Sequence, residues 1–354
     1  MTAYILRRLV QLPITVFGVT ILIFLMLQVL SPSERAALYI KDIPKNEAQI
    51  DRVIKRYGLD KPIYVQYVNW LIGTVDQDTG SRVGGVLRAD LGYSRTGREP
   101  VIDLLLRRLP ATAELAIWSF IPILGIGIWL GIIAAINHNK LIDQLARVFS
   151  IVGYSFPTFV FGLLVLMLFY AKTGWFPPGR LSDWAVQIVG SPGFVQYTNL
   201  NTFDALLNGR FDVFLDALRH MLLPIITLSY LSWALLLRVT RSSMLETLGQ
   251  DYIRTARAKG VEEKKVINDH ARPNALIPVA TISGLTVVGL LNGVVITETV
   301  FNYPGLGSAV AAAAVSLDVL TVLGFVLFNA TLLILANLVV DVLYAFLDPR
   351  VRLR

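Results

Sequence analysis

The sequence has no cysteine among its 354 residues, which excludes thiol catalysis, disulfide frameworks, cysteine-ligated metals and iron–sulfur clusters. Charge is also scarce: Asp, Glu, Lys and Arg make up 16% of the chain against 55% apolar residues, and the mean hydropathy is +0.60. That balance lies outside the ordinary globular range and argues against a soluble enzyme. No Gly-x-x-x-x-Gly-Lys-Ser/Thr phosphate loop occurs, so a nucleotide that drives this protein is hydrolysed on another polypeptide. The net charge of +7 is not gathered into a charge-rich tail or a basic run with interleaved aromatics, which argues against a nucleic-acid partner.

What the sequence has in abundance is uncharged apolar blocks. Six of them, Leu9–Leu30, Leu115–Ile136, Val148–Ala171, Met221–Leu237, Pro273–Thr297 and Val319–Val340, contain no Asp, Glu, Lys or Arg. Several exceed the ~20 residues that cross a ~30 Å hydrocarbon layer, which predicts an all-α membrane protein with six transmembrane helices. The shortest block, Met221–Leu237, is expected to be extended by Leu218 to His220. The first follows Arg7 and Arg8, as a signal peptide would. Its roughly 22 apolar residues exceed a signal core, however, and no small-residue cleavage site precedes Ser31-Pro32.

Orientation follows from Lys and Arg in the short loops, because loops beyond ~60 residues escape the positive-inside bias. The long stretch 31–114 is therefore set aside. Lys140 and Arg147 lie in the 137–147 link, eight cations from Arg238 to Arg272 in the next, and Arg350, Arg352 and Arg354 in the tail. The opposite set has a 301–318 segment without Lys or Arg and a 172–219 loop whose four cations are matched by four Asp. The bias places both termini in the cytoplasm. The chain thus divides into an entry helix and first span (1–30), an extracytoplasmic insertion (31–114) and a five-span core (115–350) that carries the cytoplasmic loop 238–272.

Within the insertion, Ile50, Val53, Ile54 and Tyr57 recur at helical spacing before Gly58, which predicts a short helix over 45–57. A second amphipathic stretch, Ile63–Leu71, carries Tyr64, Tyr67 and Trp70, suited to a headgroup boundary, a protein partner or a cap over the bundle. Trp175-Phe176-Pro177-Pro178-Gly179 reads as an external turn. In the spans, Gly127/Gly131 and Gly289/Gly293 have the spacing that lets helices approach closely. Pro122, Pro157, Pro224 and Pro278 are potential kinks.

A buried charge at the bilayer centre costs at least ~2.5–3.5 kcal/mol on insertion scales, and the six blocks hold none. Only neutral polar groups occur at depth, among them Ser155, Asn292, Asn329 and Asn337, and Glu298 stands at the outer end of the fifth block. Ser155, Pro157, Asn292, Glu298 and Asn329 are candidates for a translocation path or gate; interhelical hydrogen bonds account for the polar ones equally well. The lack of intramembrane acids argues against an ion-coupled secondary carrier. His138, His220 and His270 fall at or beyond span ends without metal-ligand spacing, which argues against an embedded metallohydrolase.

The cytoplasmic segment Asp251-Tyr252-Ile253-Arg254-Thr255-Ala256-Arg257-Ala258-Lys259-Gly260 is a short helical pattern with Tyr252, Ala256 and Gly260 on one stripe, suited to seating in another protein's groove. Gly260 supplies a left-handed stop, and a second helix is expected over Glu262–His270. A basic surface helix on anionic lipid would fit the charges but gives no reason for the small-residue stripe.

This segment, followed by Arg272-Pro273-Asn274-Ala275-Leu276-Ile277-Pro278, resembles the coupling loop of permease subunits of ABC importers, specifically the dipeptide/oligopeptide permease family. The resemblance spans nearly the whole chain. Tyr4-Ile5-Leu6-Arg7-Arg8-Leu9, Tyr57-Gly58-Leu59-Asp60-Lys61-Pro62, Asp90-Leu91-Gly92-Tyr93-Ser94 and Arg108-Leu109-Pro110-Ala111-Thr112 are similar to the family's segments in that order. So are Glu298-Thr299-Val300-Phe301-Asn302-Tyr303-Pro304-Gly305-Leu306-Gly307 and Leu347-Asp348-Pro349-Arg350. Arg254-Thr255-Ala256 stands where Glu-Ala-Ala is common in the wider permease class, a variant shared by the peptide branch.

The resemblance implies a type I ABC importer permease-like fold in the inner membrane. It further implies a second permease subunit forming a heterodimer, two ABC ATPase subunits and an extracytoplasmic substrate-binding protein. Asp251, Tyr252, Arg254, Thr255, Ala256 and Gly260 would dock an ATPase. This chain would bind no cofactor, with ATP-Mg used by the partner subunits. Peptides are the expected cargo, with oligosaccharides or chelated nickel as the alternative. Gly260→Trp is expected to uncouple transport without unfolding the spans.

Overall fold

The computed structural model describes residues 2–40, 46–75, 80–291 and 295–347. Helices come first: α1 (Thr2–Leu27), α2 (Pro32–Leu38), α3 (Glu47–Tyr57) and α4 (Ile63–Ile72). Two small antiparallel ribbons follow, β1 (Thr74–Val75) with β2 (Arg82–Val83) and β3 (Tyr93–Ser94) with β4 (Glu99–Pro100). Then come α5 (Val101–Ile136), α6 (Leu141–Ser155), α7 (Thr158–Leu166), α8 (Asp183–Val189), α9 (Asn201–Leu207) and α10 (Phe211–Leu248). The chain continues with α11 (Asp251–Ala258), α12 (Glu263–Lys265), α13 (Arg272–Leu291), α14 (Val295–Val300), α15 (Leu306–Val315) and α16 (Val319–Leu347).

Among the described residues, four helices are long and apolar enough to cross a membrane: α1 from Val10, α5, α10 and α16. The third apolar block, expected as one straight span, is instead two helical pieces bent by 102°. The cause is Pro157, which has no N–H and pushes the preceding residue out of the helical region; Phe156 is extended at φ −86°, ψ 124°. Counting this pair as one crossing gives five. The fifth block, Pro273–Thr297, runs through residues 292–294, outside the described residues. The fourth is longer than expected, because α10 starts at Phe211 and ends at Leu248.

The chain forms two compact units. The first comprises residues 1–109 and 306–354. In it α1 packs on α16, α2 on α3, and α15 on α16. Val101, Leu105, Leu306, Leu320 and Phe325 form a core. The expected insertion helix is present as α3, started by the Asn46 side chain accepting from the Gln49 amide at 3.0 Å and stopped by Gly58 at φ +65°. Asp318, 3% exposed, accepts hydrogen bonds from Ser94 Oγ at 3.0 Å, the Thr96 amide at 3.0 Å and Thr321 Oγ1 at 2.7 Å.

The second unit, residues 110–305, is organised on α10, against which α6, α7, α9, α13 and α14 pack. Ala111, Leu115, Met221, Ile225, Leu228 and Tyr303 make one core and Ala116, Ile123, Leu236, Val279 and Leu290 another. Gly127 and Gly131 act as expected: added Cβ atoms would lie 2.9 Å from Leu236 Cβ and 2.5 Å from Thr240 Cβ. The second glycine pair does not repeat this, since Gly289 has no neighbour within 4 Å and Gly293 lies outside the described residues. The bent α6–α7 pair is held to α10 by Ser150 Oγ donating to the Ala234 carbonyl at 2.9 Å, by Tyr230 OH donating to the Phe156 carbonyl, and by stacking of Phe161 on Tyr230 at 4.0 Å.

Candidate functional site

Helix α11 begins with Asp251 in its first turn and ends before Gly260, which is left-handed at φ +75° as expected. Only one of its side chains is fully buried: Ile253, at 0% exposure, sits with Ala135, Met244, Val266, Ala271 and Ala275. Ala256 is half-buried against the same cluster, so the small-residue stripe is split; Tyr252 and Gly260 face outward and Ala256 faces the core. Asp251, Arg254 and Thr255 are exposed, and Thr255 Oγ1 returns to the Asp251 carbonyl at 2.9 Å. The exposed face is therefore Asp251, Tyr252, Arg254, Thr255 and Ala258, while Ile253 and Ala256 anchor it.

The segment after α11 departs from expectation. There is no separate helix ending at His270: α12 runs through a wide helical turn at Val266–Ala271 directly into α13, and a short turn at 259–262 joins α11 to this continuous helix. Arg257 clamps the α11–α12 corner, donating Nη2 and Nε to Glu263 at 2.6 and 3.0 Å. The same guanidinium holds the Glu263 carboxyl below its ordinary value. Gly260 has open space around it but a φ of +75°, so any other residue there strains the backbone; Gly260→Trp mixes strain with lost docking.

The absence of charge from the six blocks does not extend to the helices, which run past the blocks and bury acids at their ends. Glu114, at 0% exposure, accepts from Arg180 Nη2 at 2.7 Å, from the Thr202 amide at 2.7 Å and from Thr202 Oγ1 at 2.8 Å. Burial works against the charge on Arg180, and the Glu114 carboxylate outweighs it, raising the guanidinium pKa. Burial also pushes the neighbouring Tyr303 phenol upward. Asp143, again fully buried, is bridged to α10 by Arg241 at 2.5 and 2.9 Å and approached by Arg147 at 3.4 Å. Glu114 and Arg241 stand one and four residues outside apolar blocks, so helix continuity was the signal that could have found them.

The path and gate candidates are scattered. Ser155 is exposed and returns its hydroxyl to the Ile151 carbonyl at 2.8 Å, next to the Pro157 break. Glu298 is fully buried and accepts from Thr112 Oγ1 at 2.6 Å, so its carboxylate presents no surface to a passing solute in this arrangement. Asn329, in the first unit, is half-buried; Asn292 lies outside the described residues. Ser182, His220 and Asp216 also meet, with Ser182 Oγ 2.7 Å from Asp216 Oδ1 and 3.2 Å from His220 Nε2. His220 Nδ1 faces the Pro178 carbonyl at 3.0 Å rather than the acid, so the order is not that of a nucleophilic triad. Among the described residues no cluster of three metal-ligating side chains occurs.

Residues 127–353 match the family model for the binding-protein-dependent transport system inner membrane component, and residues 1–116 match the model for the N-terminal part of such membrane components. The chain belongs to this family. It is a multi-pass membrane protein and a permease component of a binding-protein-dependent transport system. It is 39% identical over 352 residues to the di/tripeptide transport system permease protein DppB of Pseudomonas aeruginosa, covering 99% of each chain. It is 40% identical over 342 residues to the probable D,D-dipeptide transport system permease protein DdpB of Escherichia coli, covering 96% of this chain and 94% of that one. To the oligopeptide transport system permease protein AppB of Bacillus subtilis it is 36% identical over 354 residues, covering 99% of each.

Proposed function

We propose that this chain forms half of the translocation pathway of an ATP-driven importer for di- and oligopeptides. The observation that carries the reading is the similarity, over 99% of the chain, to permeases named for di/tripeptide and oligopeptide transport. In this reading six helices cross the inner membrane with both termini in the cytoplasm, and residues 31–114 lie on the external side. A second, different permease subunit completes the pathway, an extracytoplasmic binding protein delivers cargo, and two ABC ATPase subunits hydrolyse ATP-Mg. The chain itself performs no catalysis and binds no cofactor.

The mechanism places α11 in a groove of an ATPase subunit. Its exposed Asp251, Tyr252, Arg254 and Thr255 make the contact, and Ile253 with Ala256 ties the helix to α10 and α13. Because α12 runs into α13, a displacement of α11 is passed to a membrane helix, shifting the balance between inward- and outward-facing packings. The Phe156–Pro157 bend and the Glu298–Thr112 bond are the sites where that packing changes.

The test is ATPase stimulation of the reconstituted complex by loaded binding protein, with peptides, oligosaccharides and chelated nickel as cargoes. Peptide-dependent stimulation supports the reading. Stimulation by a sugar or by chelated nickel in its place keeps the architecture and replaces the cargo. Cargo movement without any nucleotide-hydrolysing subunit overturns the mechanism.

A further inference from the structure

The first unit contains a cavity of about 260 Å³, near the lower end of the ~300–1,000 Å³ typical of small-molecule sites. Phe24, Tyr39, Tyr57 and Trp70 give it an aromatic wall, and Arg35 lines it as well. Arg35 is only 6% exposed. Its Nη1 donates to Gln28 Oε1 and to Gln66 Oε1, both at 2.6 Å, and both acceptors are neutral amide oxygens in the same wall. Gln66 is fixed in this role because its Nε2 donates to the Leu59 and Lys61 carbonyls at 2.9 and 2.6 Å.

Among the described residues, only neutral oxygens accept from this guanidinium. Arg35 Nε is buried without a partner, and among the described residues no carboxylate lies within 4.0 Å of Arg35. The acid in the lining, Asp90, accepts from the Gly92 amide at 3.1 Å. A buried cation bonded only to neutral acceptors is costly, and a carboxylate is the group that both neutralises it and accepts its remaining protons. We propose that this cavity binds a small organic carboxylate bearing an aromatic or branched apolar group, with the carboxylate on Arg35 and the apolar part against Tyr57 and Trp70. The proposal goes beyond the peptide reading and does not depend on it. The carboxylate has two sources, the C-terminus of a peptide cargo or a non-peptide acid.

The experiment is equilibrium dialysis of the detergent-solubilised full chain with radiolabelled N-acetyl-phenylalanine and, separately, N-acetyl-phenylalanine amide. The acid is expected to bind saturably to one site, with the amide at least about tenfold weaker. Arg35→Lys should keep part of the affinity and Arg35→Gln should abolish it. Equal binding of acid and amide to the unaltered chain, or no saturable binding of the acid, overturns the proposal without any variant. Competition by the dipeptide Ala-Phe assigns the site to cargo, and its failure to compete, with the acid still bound, assigns it to a non-peptide carboxylate. Peptide-stimulated ATPase activity of the assembled complex is a separate readout, so the cavity and the cargo reading fail independently.

Discussion

The Glu298 carboxylate fills the space that a side chain on Gly305 would need: a Cβ there would lie 2.4 Å from Glu298 Cδ. The two residues are seven apart, Glu298 in α14 and Gly305 just before α15, and the chain closes on itself through the Tyr303 amide, which donates to the Glu298 carbonyl at 2.7 Å. Gly305→Ala must therefore displace either the buried carboxylate, with its Thr112 hydrogen bond, or the backbone. It should destabilise the chain by about 1–3 kcal/mol, read as a lower melting temperature in detergent. Removing the obstacle with Glu298→Ala should make the second substitution cheaper, so the double variant loses less than the sum of the two singles. Strict additivity would contradict the contact.

The two glycine pairs with the same spacing should behave oppositely. Gly131→Ala puts a methyl group 2.5 Å from Thr240 Cβ and 2.9 Å from the Leu237 carbonyl, and should cost about 1–3 kcal/mol. Gly289→Ala meets nothing within 4 Å inside a helix, and should raise stability by about 0.5–1 kcal/mol in the isolated chain. Thermal unfolding of both variants decides it. A destabilised Gly289→Ala in the assembled complex alone would locate a partner at that face.

Helix α11 offers a separation of anchoring from docking within adjacent residues. Ile253→Ala should destabilise the chain by about 2–5 kcal/mol, because the side chain is fully enclosed. Arg254→Glu and Tyr252→Ala, on the exposed face, should leave the melting temperature within the change expected for about 0.5 kcal/mol. Under the proposed coupling, Arg254→Glu lowers cargo-stimulated ATPase activity of the complex at least about tenfold. Normal stimulation at normal assembly would remove α11 as the docking element. These substitutions avoid the backbone strain that any replacement of Gly260 introduces.

How legible this was in the sequence can be read from particular residues. The α3 stop at Gly58 and the α11 stop at Gly260 were visible because each needs only local backbone chemistry, a left-handed φ after an apolar-periodic run. Pro157 was visible as a residue but not as a 102° bend, since Pro110, Pro122, Pro224 and Pro278 sit inside uninterrupted helices. What separates it from them is tertiary: Tyr230 on α10 donates to the Phe156 carbonyl and stacks on Phe161 of α7, holding the bend that Pro157 starts. The buried acids were missed for a related reason. Glu114 looks like a loop residue beside an apolar block, and only its partners Arg180 and Thr202, 66 and 88 positions away, make its burial possible.

Asp318 gives the chain a pH dependence whose sign can be worked out. Burial pushes its carboxyl up, but the bonds from the Thr96 amide, Thr321 and Ser94 outweigh that and leave the pKa below its ordinary value. A carboxyl whose pKa is depressed on folding stabilises the fold at pH values above its unfolded pKa of ~3.9, and that contribution is lost as the pH falls through the folded value. Asp318→Asn keeps the shape, but its one oxygen, in the place of the Oδ2 that accepts from Ser94, Thr96 and Thr321 Oγ1, is neutral, and its amide nitrogen faces the Thr321 amide where Oδ1 accepted. At neutral pH it should cost about 1–3 kcal/mol. Since the unaltered chain loses its advantage in acid and the Asn variant has none to lose, their melting temperatures should converge as the pH is lowered from about 5 towards the acid limit of the fold. Other carboxylates titrate in both proteins alike, so the difference isolates this one, and a gap that stays constant with pH would mean that the Asp318 hydrogen bonds do not depend on its charge.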